Sequence, residues 1–300
     1  MVHRSDKLVK LALLADIHGN FTALEECLNY IDTNNYDGLV FLGDYISDCL
    51  YPQKTLELLK TRTQGYKTWF IRGNREDYII NYHNSNNKKW RYASSTGAVL
   101  YTYENLTEAD IKTFESMPIC MNISIDYYPP ITICHGSPVK SNEWICGKDE
   151  LMKKYLDSID ADYLFCGHTH RYHKYVFENK EIVFVGSVGL PTNRQTNAQF
   201  VSLEYINNKW QDELISIPYD REKLIHEFKK SEILKKSLVW GNSIIALIKT
   251  GTDMPMQCVR RAYQIASEDR CFMEDGIIPE IYWKKAAEEL NLYDIIEEIV

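Results

Sequence analysis

A chain of 300 residues holds about two domains of roughly 150 residues each, or one large α/β domain with an appendage. Its 45% hydrophobic and 25% charged content is that of an ordinary globular protein and excludes disordered, collagen-like or low-complexity character. A net charge of −8 without a long basic stretch excludes sequence-tolerant binding to DNA or RNA, so no nucleic-acid polymer is an expected partner.

At the N-terminus His3, Arg4 and Lys7 precede LVKLALLA and imitate a signal peptide, but Lys10 interrupts the apolar run and no small-residue cleavage site follows. The run reads instead as a first strand leading into DIHGN. No stretch approaches the roughly 20 apolar residues of a membrane helix, which predicts a cytoplasmic protein without a membrane partner. The eight cysteines form no C-x-x-C pair. Cys134 and Cys166, in the apolar runs ITIC and YLFC, read as buried thiols.

From residue 11 onward short apolar runs alternate with helix-period segments: LALLA, FTALEECLNYI, GLVFLGD, TLELLK, KTWFIRGN and EDYIINY. Such alternation predicts βαβ units and a parallel sheet. Residues 83–118 break the rhythm and read as a helical insertion, with Thr107 and Asp110 spaced as a capping box. Strand signals dominate 119–218, and Asn207-Asn208 between the last two strands marks a hairpin. Residues 219–300 carry apolar residues at three-to-four spacing and no chemical motif. The expected organisation is an α/β domain over 1–218 and a helical C-terminal extension over 219–300, whose helices would serve for packing on the domain or on a second copy in a homo-oligomer.

Five motifs each follow a strand-like run: Asp16 to Asn20 (DIHGN), Gly43-Asp44, Gly73 to Glu76 (GNRE), His135-Gly136 and Gly167 to His170 (GHTH). Asp16, Asp44 and Asn74 are separated by about one βαβ unit each, which places them at the same ends of successive parallel strands, where α/β sheets bind ligands. In extended chain residues i and i+2 point the same way, so Asp16 with His18, and His168 with His170, are expected as chelating pairs. Carboxylate, imidazole and amide oxygen without thiolate suit Mn2+, Fe, Zn2+, Co2+ or Ni2+, and seven such residues suit two divalent ions sharing a carboxylate.

In this motif set the chain resembles the calcineurin-like metallophosphoesterases, with the likeness covering residues 11 to about 205. The resemblance implies an α/β fold, a two-sheet sandwich flanked by helices. It implies Asp16, His18 and His170 on one metal, Asn74, His135 and His168 on the other, and Asp44 bridging. It further implies hydrolysis of a small phosphomonoester or phosphodiester, such as a nucleotide, through attack by a metal-bridging hydroxide. Fuller members read G-N-H-D/E where this chain has Arg75; a guanidinium binds phosphate oxygens but is no useful acid near neutrality. Two rival readings are a scaffold of the same fold that binds a protein partner, against which the complete ligand set argues, and a phosphoprotein phosphatase. His3, His83 and His226 read as ordinary core or surface histidines, His173 as structural, and Asn87 to Arg91 as a solvated loop.

Overall fold

A computed structural model describes residues 9–125, 127–271 and 277–297. His3 and the rest of the signal-like N-terminal octapeptide lie outside the described residues. The expected alternation is realised as β1 (Lys10–Leu14), α1 (Phe21–Thr33), β2 (Gly38–Phe41), α2 (Pro52–Arg62), β3 (Lys67–Phe70) and α3 (Asn74–Asn84). β1 pairs in parallel with β2, and β2 with β3. Successive residues of β1 go to opposite faces: Ala12 and Leu14 join a core with Leu24, Cys27 and Leu28 of α1, whereas Leu11 and Leu13 join a second core between the sheets. Burial on both faces is why the apolar runs of β1 and β2 are unbroken.

The insertion supplies α4 (Gly97–Glu104) and α5 (Glu108–Ser116), and the capping box forms as expected, with Asp110 N–H on Thr107 Oγ1 and Thr107 N–H on Asp110 Oδ2. β4 (Cys120–Ile123), β5 (Ile131–Cys134), α6 (Asp149–Asp157), β6 (Tyr163–Cys166), β7 (Tyr172–Phe177) and β8 (Lys180–Val185) follow. These strands form a sheet in the order β4-β5-β6-β8-β7. α6 lies in the region read as strands. β5 and β6 are parallel neighbours, so the chain must cross over between them, and α6 does so on Met152, Tyr155 and Leu156. β9 (Ala198–Ile206) and β10 (Lys209–Ile217) return to the first sheet, ordered β10-β9-β1-β2-β3, through a turn in which Asn207 and Asn208 take φ of 52° and 63°. The result is the two-sheet sandwich with flanking helices.

The C-terminal helices are α7 (Arg221–Lys230), α8 (Glu232–Thr250), α9 (Met254–Glu268), α10 (Glu280–Glu289) and α11 (Leu292–Glu297). They are bound tightly to the sandwich. Leu224, Phe228, Ile244 and Leu247 bury against Cys49, Leu50, Ala98 and Leu190. Glu280 accepts from both the amide and the hydroxyl of Ser94, and Trp283 donates to Ser95 Oγ. α8 is broken at Leu238, whose φ of 50° and ψ of −119° redirect the chain just before Trp240. Among the described residues no helix is long and apolar enough to cross a membrane.

Candidate metal centre

The five motifs gather where β1, β2, β3, β5 and β6 end. The loops are stitched backbone to backbone: Asp16 N–H bonds to Gly43 O, His18 N–H to Asp44 O, and Gly167 N–H to His135 O. Gly43 and Gly73 pass so closely that a Cβ on either would collide with the other loop, which is the reason for glycine at both. Asn20 ends the first motif by capping α1, its Oδ1 accepting from Ala23 N–H, while its amide donates to Gly189 O.

The backbone departs from the extended geometry expected of the i, i+2 pairs. Asp16, His18, Asp44, His168 and His170 all have φ between 53° and 68°. Left-handed backbone is costly for such residues and persists where surrounding structure enforces it, commonly at functional sites. The pairs therefore do not converge through strand alternation. His170 turns to His18, with Nε2 atoms 3.1 Å apart, whereas the ring of His168 lies 5.3 Å from that of His135. His170 thus stands beside His18 and His168 beside His135, and His168 is in neither of the two groups able to hold a cation described below.

The carboxylates occupy the space between those pairs. Asp16 Oδ1 lies 3.2 Å from His170 Nε2, 3.7 Å from His18 Nε2 and 3.8 Å from His135 Nε2. Asp44 Oδ2 stands 3.5 Å from His18 Nε2 and 3.4 Å from His135 Nε2, and its Oδ1 accepts from the Arg75 amide at the start of α3. Asn74 Oδ1 is 3.2 Å from His135 Nε2. Asp16, His18 and His170 form one group able to hold a cation, and Asp16, Asp44 and His135 another. Asp16 thus lies in both groups, a shared position that the sequence reading gave to Asp44 alone.

Three features fit this donor set to metal ions. Asp16 Oδ1 is buried without a hydrogen-bond partner. The Nδ1 atoms of His135 and His170 lie 2.6 and 2.7 Å from the carbonyls of Leu42 and Leu190; a carbonyl only accepts, so each Nδ1 carries hydrogen and Nε2 is left facing the centre. The field is strongly negative. Burial disfavours charge on His18, but Asp16, Asp48 and Asp44 overcome it and raise its pKa to about 9; Asp44 and Asp16 likewise raise His135 to about 10. Burial would raise Asp44, yet the His135 and His18 charges hold it well below the carboxylate range. His168, by contrast, is depressed to about 4 by burial and by its neighbour His135, and stays neutral.

Two acids in the same loops escaped the sequence reading. Asp48 is buried and places Oδ2 3.0 Å from both His18 Nδ1 and Arg75 Nη2, while Oδ1 accepts from Trp240 Nε1 at 2.8 Å. Glu76, the last residue of GNRE, accepts from the amides of Asp44, Tyr45 and Gly73 and so locks two motif loops together. Asp48 stands four residues after Asp44, a local signal that was present but unassigned. Arg75 lies between the rings of Tyr78 and Trp240, at 5.9 and 5.8 Å, with Nε buried and unpartnered. A cleft of about 340 Å³ opens from these residues and is walled by Trp144 on one side and by α8 and α9 on the other.

The remaining histidines lie elsewhere. His83 contacts Tyr103, His226 contacts Lys230, and His173 is exposed on β7. In the Asn87 to Arg91 loop, Trp90 stacks on Tyr82 at 4.0 Å.

Comparison with known proteins gives the family and the fold. The family model described as calcineurin-like phosphoesterase matches residues 9–172, more than half of the chain. The chain belongs to the calcineurin-like phosphoesterase family. It is similar to the uncharacterized protein MJ0912 of Methanocaldococcus jannaschii, with 23% identity over 242 residues that cover 74% of this chain and 93% of the relative. Its fold is similar to that of the hypothetical protein PH1004 from Pyrococcus horikoshii, at TM-score 0.68 and 20% identity over 81% of this chain and 98% of that one. It is also similar to a metallophosphoesterase from Sphaerobacter thermophilus, at TM-score 0.63 and 20% identity over 82% of this chain and all of that one.

Proposed function

We propose that the protein is a dinuclear metal-dependent phosphoesterase acting on a small phosphomonoester or phosphodiester. The observation that carries this reading is the convergence of Asp16, Asp44 and three inward-facing imidazole Nε2 atoms around an unpartnered buried carboxylate oxygen, beside an arginine. We assign Asp16, His18 and His170 to one ion, Asn74, His135 and His168 to the other, and Asp44 to both, with Asp16 close enough to share in each. Divalent transition-metal ions bound there would lower the pKa of a water to make it a nucleophile and neutralise phosphoryl charge.

The chain's own groups do the rest. Arg75 lines the cleft and offers its guanidinium to a phosphoryl oxygen, while Asp48 fixes it through Nη2. Asp48 and Asp44 keep that arginine charged against its burial, so it stabilises the charge that builds on the phosphoryl group and does not give up a proton. Glu76 and the crossing of Gly43 and Gly73 hold the loops rigid, which preserves the geometry that positioning requires. Five buried thiols, Cys27, Cys49, Cys134, Cys166 and Cys258, fit a reducing compartment such as the cytoplasm.

The test is hydrolysis of a panel of phosphomonoesters and phosphodiesters by metal-stripped protein reconstituted with Mn2+, Co2+ or Ni2+. Turnover restored by metal and abolished in Asp16→Asn supports the reading. A protein that binds metal yet cleaves no ester in the panel would be a scaffold on the same fold.

A further inference from the structure

Two properties of the cleft bear on the chemistry of the leaving group. The first is Arg75 itself: next to Asn74, GNRE brings a permanent cation into the cleft, held by Asp48 at 3.0 Å and lying 5.9 and 5.8 Å from the rings of Tyr78 and Trp240. It can stabilise negative charge on the departing oxygen but cannot protonate it. This arrangement favours a leaving group that departs as an anion stable in its own right. A phosphate is such an anion, since its second ionisation lies at about 6, whereas an alkoxide is not.

The second property is further positive charge in the cleft. Arg171 follows His170 directly, and Arg260 projects from α9; both line the same cleft as the metal-site residues. Arg171 gives its Nε to Thr192 Oγ1 at 3.0 Å, which leaves its terminal nitrogens open. Among the described residues neither arginine forms an ion pair, although the chain carries 42 acidic side chains against 34 Lys and Arg. Asp253, the one lining acid outside the metal-site loops, caps α9 through Met256 N–H and pairs with neither arginine. Two guanidiniums without an ion-pair partner in the cleft of an acidic protein favour anionic substrate groups beyond the one that the metal site takes. The same cleft has apolar and partly aromatic walls: Trp144, Trp240, Ile244, Leu247 and Met256. These walls suit a planar or apolar organic body.

Resting on the phosphoesterase reading, we propose that the substrate is a phosphoanhydride bearing an organic group, in the manner of a nucleoside polyphosphate, with its leaving phosphate held by Arg171 and Arg260. Water oxygen bonds to the phosphorus at the metal site as the bridging P–O bond breaks. The bridging oxygen leaves with the electron pair on the departing phosphate, and the water proton passes to solvent. All four wall residues from Trp240 to Met256 belong to the C-terminal helices, outside the residues 9–172 that match the family. The extension thus supplies the walls and Arg260, and the sandwich supplies Arg171.

The test uses full-length protein loaded with Mn2+. Hydrolysis of ADP and of P1,P2-diadenosine diphosphate is compared with that of AMP, glycerol 2-phosphate and p-nitrophenyl phosphate. The anhydrides should exceed the alkyl monoesters in kcat/KM, and the ratio of ADP to p-nitrophenyl phosphate should fall about tenfold in Arg171→Ala and further in Arg260→Glu. In calorimetry, imidodiphosphate should bind more tightly than inorganic phosphate, with the advantage reduced in both variants. Arg260 is exposed, so its substitution leaves the fold intact. Metal-dependent cleavage of p-nitrophenyl phosphate with unchanged ratios in both variants would overturn the anhydride assignment and leave the phosphoesterase reading standing. Absence of metal-dependent cleavage of every ester and anhydride would overturn both.

Discussion

Asp44 is approached from three sides, by the Arg75 amide on Oδ1 and by two histidines on Oδ2. Asp44→Asn keeps the shape and removes the charge, so metal content measured by elemental analysis should drop from about two ions per chain at both positions. Loss of a single ion would transfer the bridging role to Asp16. Asp48 acts one step further out, since it steadies the far nitrogen of His18. Asp48→Asn should weaken metal affinity about 10–100-fold, as substitutions of groups that orient ligating histidines do. Titration with Co2+ followed by its visible absorption reads this without turnover, and an unchanged affinity would assign Asp48 to Arg75 alone. Replacing Arg75 by histidine restores a group that can donate a proton, and an added titrating limb in the pH–rate profile for alkyl esters is the expected sign.

At the scale of elements, α8 is where the extension meets the chemistry. Its break at Leu238 turns the chain so that Val239 N–H reaches Ser94 Oγ and the Trp240 indole reaches Asp48. A non-glycine residue at such angles costs about 1–3 kcal/mol, which the surrounding contacts must offset. Trp240→Phe preserves the apolar wall and removes the indole N–H. It should lower kcat/KM about tenfold, the worth of one hydrogen bond to a charged group, while metal content stays constant. Equal activity in Trp240→Phe would reduce the role of α8 to packing. Deleting the extension after Pro218 is a blunter change, because it uncovers Cys49, Leu50 and Leu190 together with Arg75.

For the whole molecule, the centre couples stability to pH. His18 and His135 titrate at about 9 and about 10 in the metal-free protein, above the ordinary imidazole value of 6.5. Groups whose pKa is raised by folding stabilise fully below their unfolded value, and that contribution is lost as pH rises through the folded one. The Tm of the metal-stripped protein should therefore decline between pH 7 and 10. Metal must displace those protons, so its affinity should rise over the same interval. Thermal scans with and without chelator across this range check both statements; a flat metal-free profile would contradict the first.

The sequence by itself determined the βαβ rhythm and the order of the motifs. The separations of Asp16, Asp44 and Asn74 are legible because a βαβ unit has a nearly fixed length, and the hairpin at Asn207-Asn208 because asparagine accepts positive φ. What needed the tertiary structure has no local pattern. The left-handed backbone at Asp16, His18, Asp44, His168 and His170 is enforced by hydrogen bonds between separate loops, so strand alternation misjudged how those side chains converge. α6 follows from the parallel pairing of β5 and β6, itself a long-range event. Asp48 and Trp240 are 192 positions apart, and only packing of the C-terminal helices on the sandwich brings an indole to that carboxylate. Ligand identity resides in short motifs with strict spacing, whereas the walls and charges that choose a substrate arise where distant segments meet.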